Sequence, residues 1–195
     1  MADDLDRLLE RLSHRRATET AEPSVRQAAV AILLAPDPDQ VLIIRRSERA
    51  NDPWSGHLAF PGGRRDPGDP DLLATALRET WEETALSVDP SMLRLVLSDL
   101  APRNQTIPPI MVRPYVFRMD APHQPRPNAE VAHAAWIPLA RFAADGVRRT
   151  LAVQSRGVQF DAEGYDLDEG FLWGMTERII NPIISHWKEL RIAKS

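Results

Sequence analysis

Hydrophobic and polar positions recur along this chain with two spacings, one typical of helices and the other of strands. Residues 5–12, LDRLLERL, place four leucines on one helical face, which we expect to pack on the domain or on a second subunit. The β-rich segments 26–35 and 41–45 are joined by the polar sequence PDPDQ and predict a hairpin.

Later segments add further strands and a C-terminal helix. Strands are expected at 92–100, at 110–118, in a segment ending near Ile137, and in an outer hairpin formed by 149–154 and 157–161. Polar or proline-rich connectors are expected at 17–24, 101–109 and 119–127. A short helix is predicted from Pro138, and the amphipathic tail 170–190 should be kinked or interrupted at Pro182. This order favours an α/β (α+β) fold with a mixed sheet and helices on its faces.

The stretch 60–86, FPGGRRDPGDPDLLATALRETWEETAL, carries the most informative pattern. Its second half has apolar residues at helical spacing, and Asp69 and Pro70 predict the cap and the first turn of that helix. Gly62 and Gly63 follow an apolar run and allow the backbone to turn or to approach a ligand closely.

Three glutamates share one face of this predicted helix. Glu79, Glu82 and Glu83 stand at i, i+3 and i+4 near the C-terminal end, where the helix dipole is negative and like charges repel. Arg78 supplies one positive partner and lies four residues before Glu82. Two interpretations stay open on these residues alone: a solvated acidic face, or a site for a hard divalent cation.

With its two glycines, the stretch resembles the signature of the Nudix hydrolases, G-x5-E-x7-R-E-U-x-E-E-x-G-U, in which U is a bulky apolar residue. Gly63 takes the place of the first glycine and Asp69 that of the first glutamate, whereas 78–79 and 82–83 match directly. The departures are one extra residue before Arg78, Thr80 in place of an apolar residue, and Ala85 in place of a glycine.

The resemblance implies a fold and a set of roles. The fold is an α/β/α sandwich with a mixed sheet, extended here by N- and C-terminal helices. The implied ligands of Mg²⁺ or Mn²⁺ are the Gly62 carbonyl and the carboxylates of Glu79, Glu82 and Glu83. The implied base is Glu82 or Glu130. Arg78 is expected to pair with the carboxylates and fix their rotamers, and Asp69 to hold Arg78.

Residues that precede the glycine turn are candidates for substrate binding. Arg45 and Arg46 are expected to meet phosphate oxygens, since chemistry at a polyanion needs cations besides the metal. Trp54 and His57 border the same loop, and we interpret them as a packing anchor and a hydrogen-bonded polar residue.

The reaction implied is hydrolysis of a nucleoside diphosphate linked to another moiety. The run VLIIRRSERA, the FPGG turn and the RDPGD loop resemble the coenzyme A pyrophosphatase branch, which yields 3′,5′-ADP and phosphopantetheine. An ADP-ribose or nucleotide-sugar pyrophosphatase is the nearest alternative, and a damaged-nucleotide triphosphatase is more distant. A module that binds a nucleotide without cleaving it is the alternative of another class.

Composition restricts the class of protein and the number of domains that we expect. A chain of 195 residues with 43% hydrophobic residues and a net charge of −4 is typical of one globular domain without a general affinity for nucleic acid or membranes. We expect residues 1–24 to form a helix and connector, and residues 25–195 to form the Nudix domain with its C-terminal helix. The absence of cysteine excludes thiol catalysis and disulfides. A cytoplasmic location and a possible homodimer are further expectations.

Overall fold

The computed structural model describes residues 3–14, 18, 25–49, 54–102, 110–155 and 157–193. Its helices are α1 (Asp4–Ser13), α2 (Leu72–Thr84), α3 (Leu139–Ala143) and α4 (Gly174–Ile192). Its strands are β1 (Arg26–Ala35), β2 (Gln40–Arg46), β3 (Leu58–Ala59), β4 (Gly62–Arg64), β5 (Leu93–Val96), β6 (Ile110–Arg118), β7 (Val131–Pro138), β8 (Arg148–Ser155), β9 (Val158–Leu167) and β10 (Gly170–Trp173). No helix in these residues is both long and apolar enough to cross a membrane.

The main sheet is mixed and opens at one point. Strands β1 and β2 pair antiparallel only near their turn, at Leu34 with Val41 and Ala35 with Gln40. Beyond that point, β3 pairs with β2 and β4 pairs with β1, so the segment that carries the two glycines occupies the opening. Strand β6 runs parallel to β1, whereas β7 runs antiparallel to β2.

Each face of the main sheet is covered by a separate apolar core. On one face, α2 packs on alanines and leucines of β1. On the other face, α1, α3, α4 and the smaller sheet β8–β9–β10 share a second core. This layered arrangement confirms the predicted α/β sandwich with a mixed sheet.

The N-terminal leucines pack within the chain. Leu5, Leu8, Leu9 and Leu12 are buried, and α1 contacts α4. Asp3 caps α1 by accepting a hydrogen bond from the Asp6 backbone N–H at 2.9 Å, which satisfies one of the free donors at the start of the helix.

Several predicted elements are confirmed with small shifts. The β1–β2 hairpin, the strand at 110–118, the short helix after Pro138 and the outer hairpin are all present. The strand expected at 92–100 is shorter: it begins at Leu93, after a 3₁₀ turn at Pro90–Met92, and ends at Val96. The predicted connector 17–24, except Thr18, and positions 103–109 of the predicted loop lie outside the described residues.

Two predictions about helix ends are wrong. Helix α2 begins at Leu72 with Asp71 as its cap, not at Pro70 with Asp69, because the Asp71 side chain accepts the Ala74 N–H at 2.8 Å. The C-terminal helix begins only at Gly174, after β10, and runs through Pro182 without interruption. Buried isoleucines on both sides of Pro182, including Ile179, Ile180, Ile183 and Ile184, hold the two halves on one core.

Candidate active site

Arg78 is the centre of a hydrogen-bonded group of carboxylates. Its Nε and Nη2 donate to the two oxygens of Asp69 at 3.0 and 2.9 Å, which is the two-pronged geometry that favours arginine over lysine. Its Nη1 donates to Glu79 at 3.0 Å and to Glu82 at 3.1 Å. One guanidinium therefore joins three acidic residues, including the Glu82 expected from the spacing.

Asp69 serves this group and not the start of the helix. Besides Arg78, it accepts hydrogen bonds from the Thr75 hydroxyl at 2.9 Å and the Asp66 backbone N–H at 3.0 Å. These contacts, with Arg78 first, hold the pKa of Asp69 well below its usual value and raise the pKa of Arg78. Sequence reasoning missed Thr75, which is fully buried, because a threonine in a helix gives no signal of its partner.

Glu83 is a buried carboxylate at the opening of the sheet. Only 2% of its side chain is exposed, and it accepts the Gly62 backbone N–H at 2.9 Å. The Arg46 guanidinium lies 3.7 Å from its other oxygen. Burial outweighs these partners and raises the pKa of Glu83 to about 7, and burial likewise raises the pKa of Glu79.

The two glycines are needed for different contacts. Gly62 has a φ of +154°, and a Cβ at this position would lie 2.3 Å from the Ala29 carbonyl oxygen. A Cβ on Gly63 would instead lie 2.3 Å from the Glu79 carboxylate. The first glycine therefore allows strand β4 to approach β1, and the second leaves room for a site carboxylate.

Glu130 reaches the same region from the loop before β7. Its carboxylate pairs with Arg49 at 3.1 Å and is about half exposed. Its backbone carbonyl accepts the Ser47 N–H at 2.8 Å, so the loop is attached to the segment that follows β2. Burial is the main cause of the raised pKa of Glu83, and the charge of Glu130 contributes to it.

The C-terminal end of α2 is closed without the expected glycine. Ala85 adopts a left-handed conformation with φ 55° and ψ 20° and donates its N–H to the Trp81 carbonyl at 2.7 Å. The Thr80 and Thr84 hydroxyls donate to carbonyls one turn earlier, at 2.7 and 2.6 Å. Thr80 can therefore be buried where an apolar residue is usual, because its hydroxyl is satisfied within the helix.

The two candidate arginines do not lie together. Successive residues of a strand point to opposite faces of the sheet, so Arg46 shares the face of Glu83, whereas Arg45 is exposed and lies on the other face. The structure thus brings together Asp69, Arg78, the three glutamates, Gly62 and Arg46. Glu130 is adjacent to this group, and Arg45 is directed away from it.

The ligand atoms that this group offers are of the type that a hard cation binds. All are oxygens, and the buried Glu83 has a strongly raised pKa, as expected where a carboxylate lacks full charge compensation. Among the described residues, no three acidic or histidine side chains yet converge on one point. Glu79 and Glu82 contact Arg78 instead, and Glu83 contacts Gly62.

Comparison with known proteins finds relatives of similar sequence. A Nudix hydrolase of Photorhabdus laumondii named NudL, itself uncharacterized, is 33% identical over 159 residues, covering 81% of this chain and 83% of its own. A NudL of Yersinia pestis is 33% identical over 156 residues, covering 80% and 76% of the two chains.

Solved structures share the fold. A MutT/nudix family protein from Enterococcus faecalis aligns over 95% of this chain and 70% of its own, with a TM-score of 0.61 and 17% identity. The NUDIX domain of Shewanella oneidensis NrtR, complexed with ADP ribose, aligns over 64% of this chain and 82% of its own, with a TM-score of 0.50 and 25% identity. Because the family model described as NUDIX domain matches residues 25–156, this chain belongs to the Nudix hydrolases, a family whose pyrophosphatases act on phosphoanhydride bonds.

Proposed function

We propose that this enzyme hydrolyses the diphosphate of a nucleoside diphosphate linked to another moiety, with Mg²⁺ or Mn²⁺ as cofactor and coenzyme A as the leading substrate. The observation that carries this proposal is the buried Glu83 at the opening of the sheet, beside Glu79 and Glu82 and the Gly62 turn. A buried carboxylate with a pKa near 7 is costly in the metal-free protein, and it is readily understood as a cation ligand.

The three glutamates and the Gly62 carbonyl are the residues that would hold the cation. When bound, a divalent cation neutralises diphosphate charge and lowers the pKa of a coordinated water. Arg78 and Asp69 fix the orientation of Glu79 and Glu82, since both carboxylates contact the same guanidinium.

The remaining residues supply proton transfer and charge. Water attacks one phosphorus atom, the bridging P–O bond breaks, and the proton of the water passes to a carboxylate. Glu82 and Glu130 are the candidates for that base, because they are 44% and 48% exposed and thus accessible to water, unlike Glu83. Arg46 lies beside Glu83 and is placed to bind phosphate oxygens.

Coenzyme A is favoured by the sequence before helix α2, namely Arg46-Ser47, the FPGG turn and the RDPGD loop. Hydrolysis would then give 3′,5′-ADP and phosphopantetheine. ADP-ribose is the second candidate, because a structurally similar NUDIX domain was solved with that ligand. A module that binds without cleaving is the third, since the carboxylates contact Arg78 and Gly62 in this structure.

One assay distinguishes these candidates. The purified enzyme is incubated with Mg²⁺ or Mn²⁺ and a panel of coenzyme A, ADP-ribose, UDP-glucose and dNTPs, and the products are identified by mass. We expect 3′,5′-ADP plus phosphopantetheine from coenzyme A. Turnover of ADP-ribose alone would replace the leading substrate, and binding without turnover of any compound would favour the non-catalytic module.

The catalytic assignment is tested by Glu83→Gln in the same assay. We expect turnover to be lost, because the substitution removes the buried charge that the cation requires. Glu189→Gln is the matched control, since Glu189 is 62% exposed on α4. Retention of metal-dependent turnover in Glu83→Gln would show that the assignment is wrong.

A further inference from the structure

Three aromatic rings meet where β3 approaches the smaller sheet. The rings of His57 and Trp173 contact edge to face with centroids 4.9 Å apart, and those of Phe160 and Trp173 do so at 5.5 Å. We name these three residues the aromatic shelf. Phe160 and Trp173 belong to β9 and β10, beyond the segment that the NUDIX domain model matches.

The aromatic shelf is directly connected to the candidate active site. The Arg46 backbone N–H donates to the His57 carbonyl at 3.0 Å, and the neighbouring pair in the same ladder is Arg45 with Leu58. His57 is thus joined through its backbone to Arg46, whose guanidinium lies 3.7 Å from Glu83.

Most of the buried surface of the smaller sheet lies on the side away from the shelf. That sheet packs through its other face, where Tyr165, Leu167 and Leu172 are buried. Phe160 is 40% exposed, and Trp173 is only partly buried. Large aromatic surface left accessible beside a catalytic site has the properties of a ring-binding surface.

We propose that the aromatic shelf binds the base of the nucleotide substrate by stacking, with Trp173 as the main contact. The proposal depends on the proposed function for the class of ligand, a planar ring joined to a diphosphate. In this arrangement Arg46 faces the phosphates while the shelf receives the ring, because the backbone hydrogen bond from Arg46 to His57 connects the two. A second copy of this chain is the other occupant that such a face could accept, and the test below separates the two.

Calorimetric titration of the metal-loaded enzyme with 3′,5′-ADP tests the shelf without requiring turnover. We expect Trp173→Ala and Phe160→Ala to weaken binding about tenfold, as stacked bases do on loss of their aromatic partner. Trp173→Phe retains a ring and should keep binding within about threefold of the wild type. The Trp173 side chain makes no capping hydrogen bond to α4, so its truncation leaves that helix start intact.

Two controls make the result specific. Val158→Ala truncates a side chain that is 61% exposed on the same strand as Phe160 and should leave binding unchanged. Ribose 5-phosphate, which has no base, should bind the wild type and Trp173→Ala equally.

Three outcomes overturn the shelf as a base site. The first is 3′,5′-ADP affinity that is the same in Trp173→Ala, Phe160→Ala and the wild type. The second is no measurable binding of 3′,5′-ADP or of 5′-AMP by the wild type. The third is a wild-type dimer that Trp173→Ala converts to a monomer with unchanged affinity. Metal-dependent turnover that persists alongside the first outcome leaves the proposed function standing.

Discussion

At the scale of single residues, Arg78 determines how the acidic face of α2 is arranged. The spacing alone predicted its pairing with Glu82, and the structure adds Glu79 and Asp69. Four charged groups at this distance stabilise one another only because the guanidinium has donors in a fixed planar fork. Loss of the Arg78 guanidinium should therefore change the positions of the carboxylates more than the stability of the fold.

Arg78→Lys should therefore impair catalysis specifically. Lysine cannot contact Asp69 through two parallel hydrogen bonds and also reach Glu79 and Glu82. We expect kcat to fall about 10–100-fold, the usual cost of losing a group that orients metal ligands. The measurement is the steady-state rate over a Mg²⁺ titration. Arg94→Lys, at the exposed position of β5, is the control, and equal rates in the two variants would contradict the prediction.

Glu83 should make the metal-free protein sensitive to pH. Burial raises its pKa from 4.5 to about 7, so the folded state binds this proton more tightly than the unfolded chain. That stabilisation is complete below about pH 4.5 and is lost as the pH rises through about 7. We expect the free energy of unfolding to fall by about 3 kcal/mol over this range because of Glu83.

Glu83→Gln removes this dependence, since glutamine does not titrate. In EDTA, urea unfolding should show that the variant is more stable than the wild type at pH 8 and similar to it near pH 5. The same substitution should abolish turnover, so the site gains function at the expense of stability. A wild type that is the more stable protein at pH 8 would be inconsistent with an uncompensated buried carboxylate.

At the scale of elements, the glycine turn and helix α2 form one unit. The atoms nearest to a Cβ on Gly62 include backbone of β1, whereas those nearest to a Cβ on Gly63 belong to the Glu79 side chain. We expect Gly62→Ala to lower the free energy of unfolding by about 2–4 kcal/mol, because both the positive φ and the backbone contact become strained. Urea unfolding measures this loss.

Gly63→Ala should have the opposite effect, with little change in stability and a lower kcat. The Glu79 carboxylate can rotate away from a new Cβ, so unfolding should change little. Its displacement from the site should lower kcat about 10–100-fold, as misplacement by about 1 Å does in other enzymes. If Gly63→Ala is destabilised as strongly as Gly62→Ala while its kcat is normal, the assignment of the two contacts is wrong.

Helix α2 also ends at some energetic cost. Ala85 holds a left-handed conformation that is unfavourable for any residue with a Cβ. We expect Ala85→Gly to stabilise the protein by about 0.5–1 kcal/mol, the Cβ penalty less the greater chain entropy of glycine. Thermal unfolding would detect this gain. Ala74→Gly, within the same helix, should instead destabilise it by about 1 kcal/mol.

At the scale of the whole molecule, the candidate active site on α2 and the terminal helices occupy opposite faces of the main sheet. Helix α2 and its glutamates lie on one face, whereas α1 and α4 close the core on the other. A substitution in the core that α1 and α4 close should therefore change stability and leave catalysis intact.

Leu8→Ala tests this separation, because Leu8 is fully buried in the core shared with α4. We expect a loss of about 2–5 kcal/mol in the free energy of unfolding, with kcat unchanged at temperatures where the variant is folded. Ile192→Ala, where the side chain is 76% exposed, should change neither quantity. A large fall in kcat for Leu8→Ala would show that the two faces are coupled.

The sequence by itself determined most of the elements and the family of this protein. Leucine spacing in α1, the polar turn between β1 and β2, and the glutamates of α2 are local patterns, and local patterns are set by backbone geometry and side-chain periodicity. Only the tertiary structure decided what each polar side chain contacts. Asp69 resembled a helix cap but binds Arg78 and Thr75, because its partners come from the folded turn. Arg45 and Arg46 are adjacent in sequence, yet the pleat of β2 directs only Arg46 toward Glu83.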